Sequence, residues 1–174
     1  MNMFCISDRD SHTALSDELM KRVQALAEEK GYALDSIALD RNETAACTGC
    51  LRCWSEQTRE CVSRDLLGDI TRHKKNCGVV MYVTPVTFGG MTSSVKAAWD
   101  KDAHLFANKD RMKLVIGYGE DVDDEEKSTF VDTIVLHRGA ADIVHPRDKE
   151  DIKVFVTRSA DDTDAVCREI GRAL

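Results

Sequence analysis

A chain of 174 residues that is 43% hydrophobic and 32% charged, with only two prolines, has the composition of a folded domain with a sizeable core, and disorder is excluded. The net charge of −7 argues against nucleic-acid binding as the main function, because phosphate contacts need clustered Lys and Arg. The basic runs Arg72 to Lys75 and Lys109 to Lys113 read as solvated faces, and Asp121 to Glu126 as a solvated loop.

One domain is expected over 1–174. The N-terminal residues lack the pattern of a secretory leader, and no apolar run approaches membrane-spanning length. The expected compartment is therefore the cytoplasm, where thiols stay reduced.

Met3 to Ile6 is a short apolar run of strand character. It is followed by the polar segment Ser7 to Thr13 and then by Leu15, Leu19, Val23 and Leu26 at helical spacing, ending near Gly31. A loop that joins a strand to a helix N-terminus suits an anion, since free N–H groups and the helix dipole face it. The plainer reading is that Ser11 or Thr13 caps the helix.

Tyr32 to Leu39 predicts a second strand and Asp65 to Lys75 a short helix with Leu66, Leu67 and Ile70 inward. Gly78 to Val83 is apolar on both faces, as a central parallel strand requires. It empties into Thr84-Pro85-Val86-Thr87-Phe88-Gly89-Gly90-Met91, where Pro85 fixes the exit and the glycines allow close approach to a flat ligand. A helix with Val95, Ala98 and Trp99 follows from about Thr92.

Lys113 to Tyr118 predicts the fourth strand, ending at Gly119-Glu120. Phe130, Ile134 and His137 mark the inner stripe of a helix stopped by Gly139. Ala141 to His145 and Ile152 to Thr157 are both strand candidates, and Asp162 is the expected cap of a last helix with Val166 and Ile170 inward. Strands that alternate with helices predict a doubly wound five-stranded parallel sheet with helices on both faces, with room for one extra edge strand. Its ligand would lie outside the C-terminal ends of the strands, beside the loops at Ser7, Thr84 and Gly119.

Four of the seven cysteines, Cys47, Cys50, Cys53 and Cys61, fall in a C-x2-C-x2-C-x7-C run in the loop after the second strand. In a reducing compartment that run suits a metal, a cluster or a redox thiol better than a disulfide. Soft thiolates at short spacing suit an iron–sulfur cluster, whereas zinc more commonly uses two distant C-x2-C pairs; reduced thiols without a metal remain the third use. Trp54 is either a shield beside the cluster or a packing residue. Cys5, Cys77 and Cys167 read as small buried hydrophobes.

The cysteine run followed by Thr84 to Met91, Lys96 and Asp100 resembles the iron–sulfur flavoproteins and related NAD(P)H-dependent FMN reductases of the flavodoxin-like superfamily, most closely over the first hundred residues. That resemblance implies FMN, with its phosphate held by Ser7, Arg9, Ser11 and Thr13. The ring would lie along Thr84, Pro85, Val86, Thr87, Phe88, Gly89 and Gly90 and beside Gly119. It further implies a 4Fe-4S cluster on Cys47, Cys50, Cys53 and Cys61, electron transfer between NAD(P)H or a ferredoxin-type carrier and a flavin, quinone or protein acceptor, and a homodimer or homotetramer.

The chain departs from the family pattern in a phosphate loop one residue shorter that carries Asp8 and Asp10, and in Thr87 where an aromatic residue is usual. Two carboxylates near a phosphate are unfavourable unless they point away. A flavodoxin-like scaffold without flavin, binding a partner through a zinc or thiol site, is the alternative.

Overall fold

The computed structural model describes residues 1–52, 61–102, 112–144 and 151–174. The elements run β1 (Asn2–Asp8), α1 (Ala14–Glu29), β2 (Ala33–Leu39), α2 (Leu66–Lys74), β3 (Val79–Pro85), α3 (Ser93–Asp102), β4 (Met112–Tyr118), α4 (Asp124–Val144), β5 (Asp151–Thr157) and α5 (Ala160–Ala173). The strands form one sheet in the order β2-β1-β3-β4-β5, parallel throughout.

The positions of the strands follow from their burial. Val79 to Thr84 of β3 are buried without a break, which a strand covered on both faces requires. At the edge, β2 carries Asp35 and Ser36 toward solvent; polar side chains protect an unpaired strand edge from further pairing.

Alternation along β1 sends Phe4 and Ile6 to the face covered by α2, α3 and α4, and Met3 and Cys5 to the face covered by α1 and α5. The second face is almost wholly aliphatic and sulfur-bearing, with Leu19, Val23, Met81, Leu114 and Ile116.

The first face holds charge, against the expectation that both basic runs are solvated. Lys74 and Lys113 are buried. Lys74 completes the inward stripe Leu67, Ile70, Thr71 at helical spacing, and Lys113 alternates with Val115 on the inner side of β4. Lys74 Nζ donates to Tyr82 Oη at 3.0 Å. Tyr82 meets Trp99 edge-on with ring centroids 5.0 Å apart, and Lys113 Nζ lies 5.3 Å from the Trp99 ring centroid, within cation–π range.

The C-terminal half differs from the expectation in two places. Gly139 does not stop its helix: α4 continues to Val144, so most of the Ala141 to His145 strand candidate is helical, and β5 alone completes the sheet. A helix interior tolerates one Gly at a cost of about 1 kcal/mol when residues such as Ala140 and Ala141 follow it. His145 lies outside the described residues, as does the side chain of His137.

The last helix is capped by Ser159, whose hydroxyl accepts the Asp162 N–H, and not by Asp162, which sits in the first turn. Between Asp121 and Glu126 the chain is less solvated than expected, since Val122 is buried and α4 begins at Asp124. Cys5 and Cys77 are buried as expected, while Cys167 is half-buried.

Candidate functional site

Because the sheet is parallel, Asp8, Leu39, Pro85, Tyr118 and Thr157 end their strands at one edge. Strand order reverses between β1 and β3, which opens a crevice between the loops that follow them.

The loop after β1 is folded on itself. Thr13 caps α1 in a reciprocal box: its hydroxyl accepts the Ser16 N–H at 3.1 Å and its own N–H donates to Ser16 Oγ at 3.0 Å. Ser7 Oγ points to Ile37 O at 3.5 Å, a weak contact toward β2. Arg9 turns outward to Asp40 at 3.0 Å and Glu43 at 2.9 Å, and those two carboxylates raise its pKa. His12 Nδ1 lies 2.8 Å from Asp17 Oδ1. Of the four residues expected at a phosphate, Ser7 thus faces β2, Arg9 turns to Asp40 and Glu43, and Thr13 caps α1, which leaves Ser11.

At the centre is Asp8, only 3% exposed. One carboxylate oxygen accepts the Ser11 N–H at 2.8 Å, and the other accepts the Ser94 hydroxyl at 2.6 Å. Ser94 Oγ lies 3.3 Å from Thr92 Oγ1, which is 3.3 Å from Thr84 Oγ1. Thr84 Oγ1 also accepts the Thr92 N–H at 3.1 Å. A line of hydroxyls therefore joins the base of the second loop to the carboxylate of the first.

Tyr118 Oη closes the floor by donating to Ser11 O at 3.0 Å. Burial, and then the negative field of Asp8 and Asp17, push the Tyr118 phenol up to about 12 despite an opposing hydrogen bond with Ser16. Ser94, Thr92 and Tyr118 were not singled out from the sequence. The hydroxyl cluster Thr92-Ser93-Ser94 at a helix start was the available signal for two of them.

The loop after β3 is open. Val86 N–H donates to Tyr118 O, and Thr87 and Gly90 exchange both backbone hydrogen bonds, at 3.0 and 2.9 Å. Between them Phe88 and Gly89 have φ of 49° and 71°; positive φ at both central residues is the signature of a type I′ turn. Phe88 is 92% exposed, an aromatic side chain held out on a backbone conformation that bulky residues seldom adopt.

Among the described residues nothing accepts from the N–H groups of Phe88, Gly89 and Met91. Gly117 is needed beneath the loop, because a Cβ there would fall 2.6 Å from Val86 Cγ2. Gly119 donates its N–H to Thr157 O and borders the same edge. Behind the turn a cavity of about 190 Å³ is lined by Gly89, Gly90, Met91, Lys96, Trp99, Phe130, Thr133 and Ile134.

Cys47 and Cys50 are exposed and Cys61 half-buried, and all three line one cavity of about 280 Å³ with Ala45, Ala46, Leu51, Val62, Asp65, Asp100 and Lys101. Gly49 and Leu51, on either side of Cys50, have φ of 65° and 56°. The Arg52 N–H, more than any other group, holds the Cys50 thiol below its ordinary pKa. In the cavity wall the buried Lys101 ammonium pairs with Asp65. Burial works against the Asp65 carboxylate, but Lys101 and the Gly68 N–H outweigh it and keep its pKa low. Cys53 and Trp54 lie outside the described residues, and among the described ones no three metal-ligating side chains form a group that could hold an ion.

No protein-family model and no curated protein sequence matches the chain. Solved structures do. A structure described as an NAD(P)H:quinone oxidoreductase from Methanothermobacter marburgensis superposes with a TM-score of 0.63 at 12% identity, covering 99% of this chain and 94% of that one. RosB with a bound 8-demethyl-8-formylriboflavin-5'-phosphate gives 0.63 at 11%, over 99% and 76%. The Trp repressor binding protein of Bacillus subtilis gives 0.59 at 13%, over 100% of both chains.

With the strand order above, these likenesses establish that the chain has the flavodoxin-like α/β fold. Among the described residues no helix is long and apolar enough to cross a membrane.

Proposed function

We propose that the chain is a flavin-dependent oxidoreductase that takes electrons from NAD(P)H and passes them to a quinone, a flavin or a protein acceptor. The observation that carries this reading is the open loop after β3. It stands at the strand-order reversal of a flavodoxin-like sheet, with an exposed aromatic side chain and, among the described residues, three backbone N–H groups that meet no acceptor. A bound flavin supplies the redox chemistry, accepting hydride and returning electrons in pairs or singly.

The residues after β3 fit its ring. Phe88 would stack or pack at an edge, the N–H groups of Phe88, Gly89 and Met91 would be offered to its polar rim, and the Thr84 to Thr92 hydrogen bond would hold the loop in place. The residues after β1 do not fit a phosphate in their present arrangement, since Asp8 occupies the Ser11 donor and Arg9 faces away. No role is assigned to that group.

Two of the solved structures with this fold support the reading through their descriptions, one naming NAD(P)H and quinone and the other a bound flavin derivative. The test is to mix the purified chain with flavin, remove the excess and record retained flavin absorbance and anaerobic NAD(P)H oxidation with a quinone. Retained flavin with quinone-dependent turnover is expected; a chain that retains no flavin and turns over nothing overturns it.

A second redox centre at Cys47, Cys50, Cys53 and Cys61, a 4Fe-4S cluster exchanging single electrons with the flavin, is favoured by the gathering of three thiols on one cavity and by the N–H groups that favour the Cys50 thiolate. Iron and sulfide analysis of anaerobically purified protein should give four of each, and zinc alone would point to the binding-module alternative. In metal-free, reduced protein near pH 8, iodoacetamide should modify Cys50 well before Cys5, whose thiol burial pushes up to about 12.

A further inference from the structure

The buried Asp8 carboxylate lies between the two loops that would hold a flavin, and its partners there are neutral: the Ser11 N–H at 2.8 Å and the Ser94 hydroxyl at 2.6 Å. Among the described residues no cation lies within ion-pair distance of it. The nearby cations are already paired at the rim, Arg9 with Asp40 and Glu43 and Arg41 with Asp10. An approaching phosphate dianion would meet this uncompensated negative charge at the strand ends, and like charges there repel. A neutral polyol would meet no such repulsion.

We infer that this crevice selects a flavin with an uncharged ribityl tail, riboflavin, over FMN, with the uncompensated Asp8 charge as the determinant that disfavours the phosphate. This rests on the flavin reading above and names its ligand class.

The decisive substitution is Asp8→Asn. Asparagine keeps the shape and both hydrogen bonds, its oxygen accepting from Ser11 and its amide donating to Ser94 Oγ, and removes only the charge. Asp8→Ser, which empties the position, is the second variant. Dissociation constants for riboflavin and FMN are measured by flavin fluorescence on the full chain, wild type and both variants, with melting temperatures as a check of folding.

Riboflavin should bind the wild type at least ~10-fold more tightly than FMN, and that ratio should fall to about one or invert in a folded Asp8 variant, through a gain in FMN affinity. Raising salt should narrow the wild-type ratio. If the wild type binds FMN as well as or better than riboflavin, the inference falls while the flavin reading stands. A preference that survives in both variants removes Asp8 as its cause and overturns the assignment. If neither flavin binds, the flavin reading and this inference fall together.

Discussion

The loops after β1 and β3 leave adjacent strands at one edge of the sheet and use their polar groups in opposite ways. The first turns inward: Thr13 and Ser16 cap each other, Asp8 takes the Ser11 N–H, and Tyr118 ties down the Ser11 carbonyl. The second is anchored at its base, through Thr84 and the Val86 N–H, and beyond the Thr87–Gly90 pair it leaves Phe88 exposed and, among the described residues, the Phe88, Gly89 and Met91 amides without an acceptor. A loop whose donors are met within itself is a stable wall. One that leaves donors and an aromatic ring unmet, at a cost in backbone strain, is shaped for a ligand.

The anchor of the open loop should show the largest effect on stability. Thr84 is fully buried, so Thr84→Val, which conserves shape, leaves the Thr92 N–H without its acceptor and should cost about 1–3 kcal/mol. Chemical denaturation gives this directly, and an unchanged midpoint would mean that the second loop does not depend on its anchor. In the closed loop Thr13→Ala removes one half of the capping box and should cost about 1 kcal/mol, readable in the same experiment.

Much of this frame was legible in the sequence, because hydrophobic period and strand length are local properties. The unbroken run Gly78 to Val83 marked the central strand, and the glycines and proline of 84–91 marked the open loop. Lys74 and Lys113 were misplaced because charge was weighed above position: both occupy inward sites in the 3.6- and 2-residue periods of their elements, and only the packed structure supplies Tyr82 and Trp99 as neighbours. The Asp8 contact was illegible for another reason. It joins residues 86 positions apart, and nothing near Ser94 in the sequence announces a carboxylate partner.

Tyr118 gives the closed loop a pH signature. Its phenol is free to ionise near 10 in the unfolded chain and is held up to about 12 in the fold. The folded state thus keeps its proton longer, and the stability that this contributes is complete below pH 10 and lost as pH rises through 12. At neutral pH Tyr118→Phe should cost about 0.5–1.5 kcal/mol from the lost hydrogen bond to Ser11. Above pH 10 the variant should lose stability less steeply than the wild type, and parallel curves would show that the Tyr118 ionisation does not limit the closed loop.

Phe88 should give the smallest change in stability and the clearest contrast between the loops. Its left-handed conformation costs about 1–2 kcal/mol, and at 92% exposure the ring recovers little of that by packing. Phe88→Gly removes the strain but adds about 0.5–1 kcal/mol of backbone entropy to be lost on folding, so the net is a gain of a few tenths to about 1 kcal/mol, or a rise in Tm of about 1–4 °C.

Its neighbour should respond in the opposite sense. Gly89→Ala brings a Cβ to 2.6 Å from Thr129 Cγ2 at a φ of 71°, and both the clash and the strain destabilise it. If Phe88 is strained for the sake of a ligand, the stabilised Phe88→Gly protein should bind flavin several-fold more weakly, since an aromatic contact contributes about 0.5–1.5 kcal/mol beyond its buried area. Gain in Tm with loss of flavin affinity is the signature of a residue kept for binding at the expense of stability; gain in Tm with affinity unchanged would place the flavin ring away from the turn.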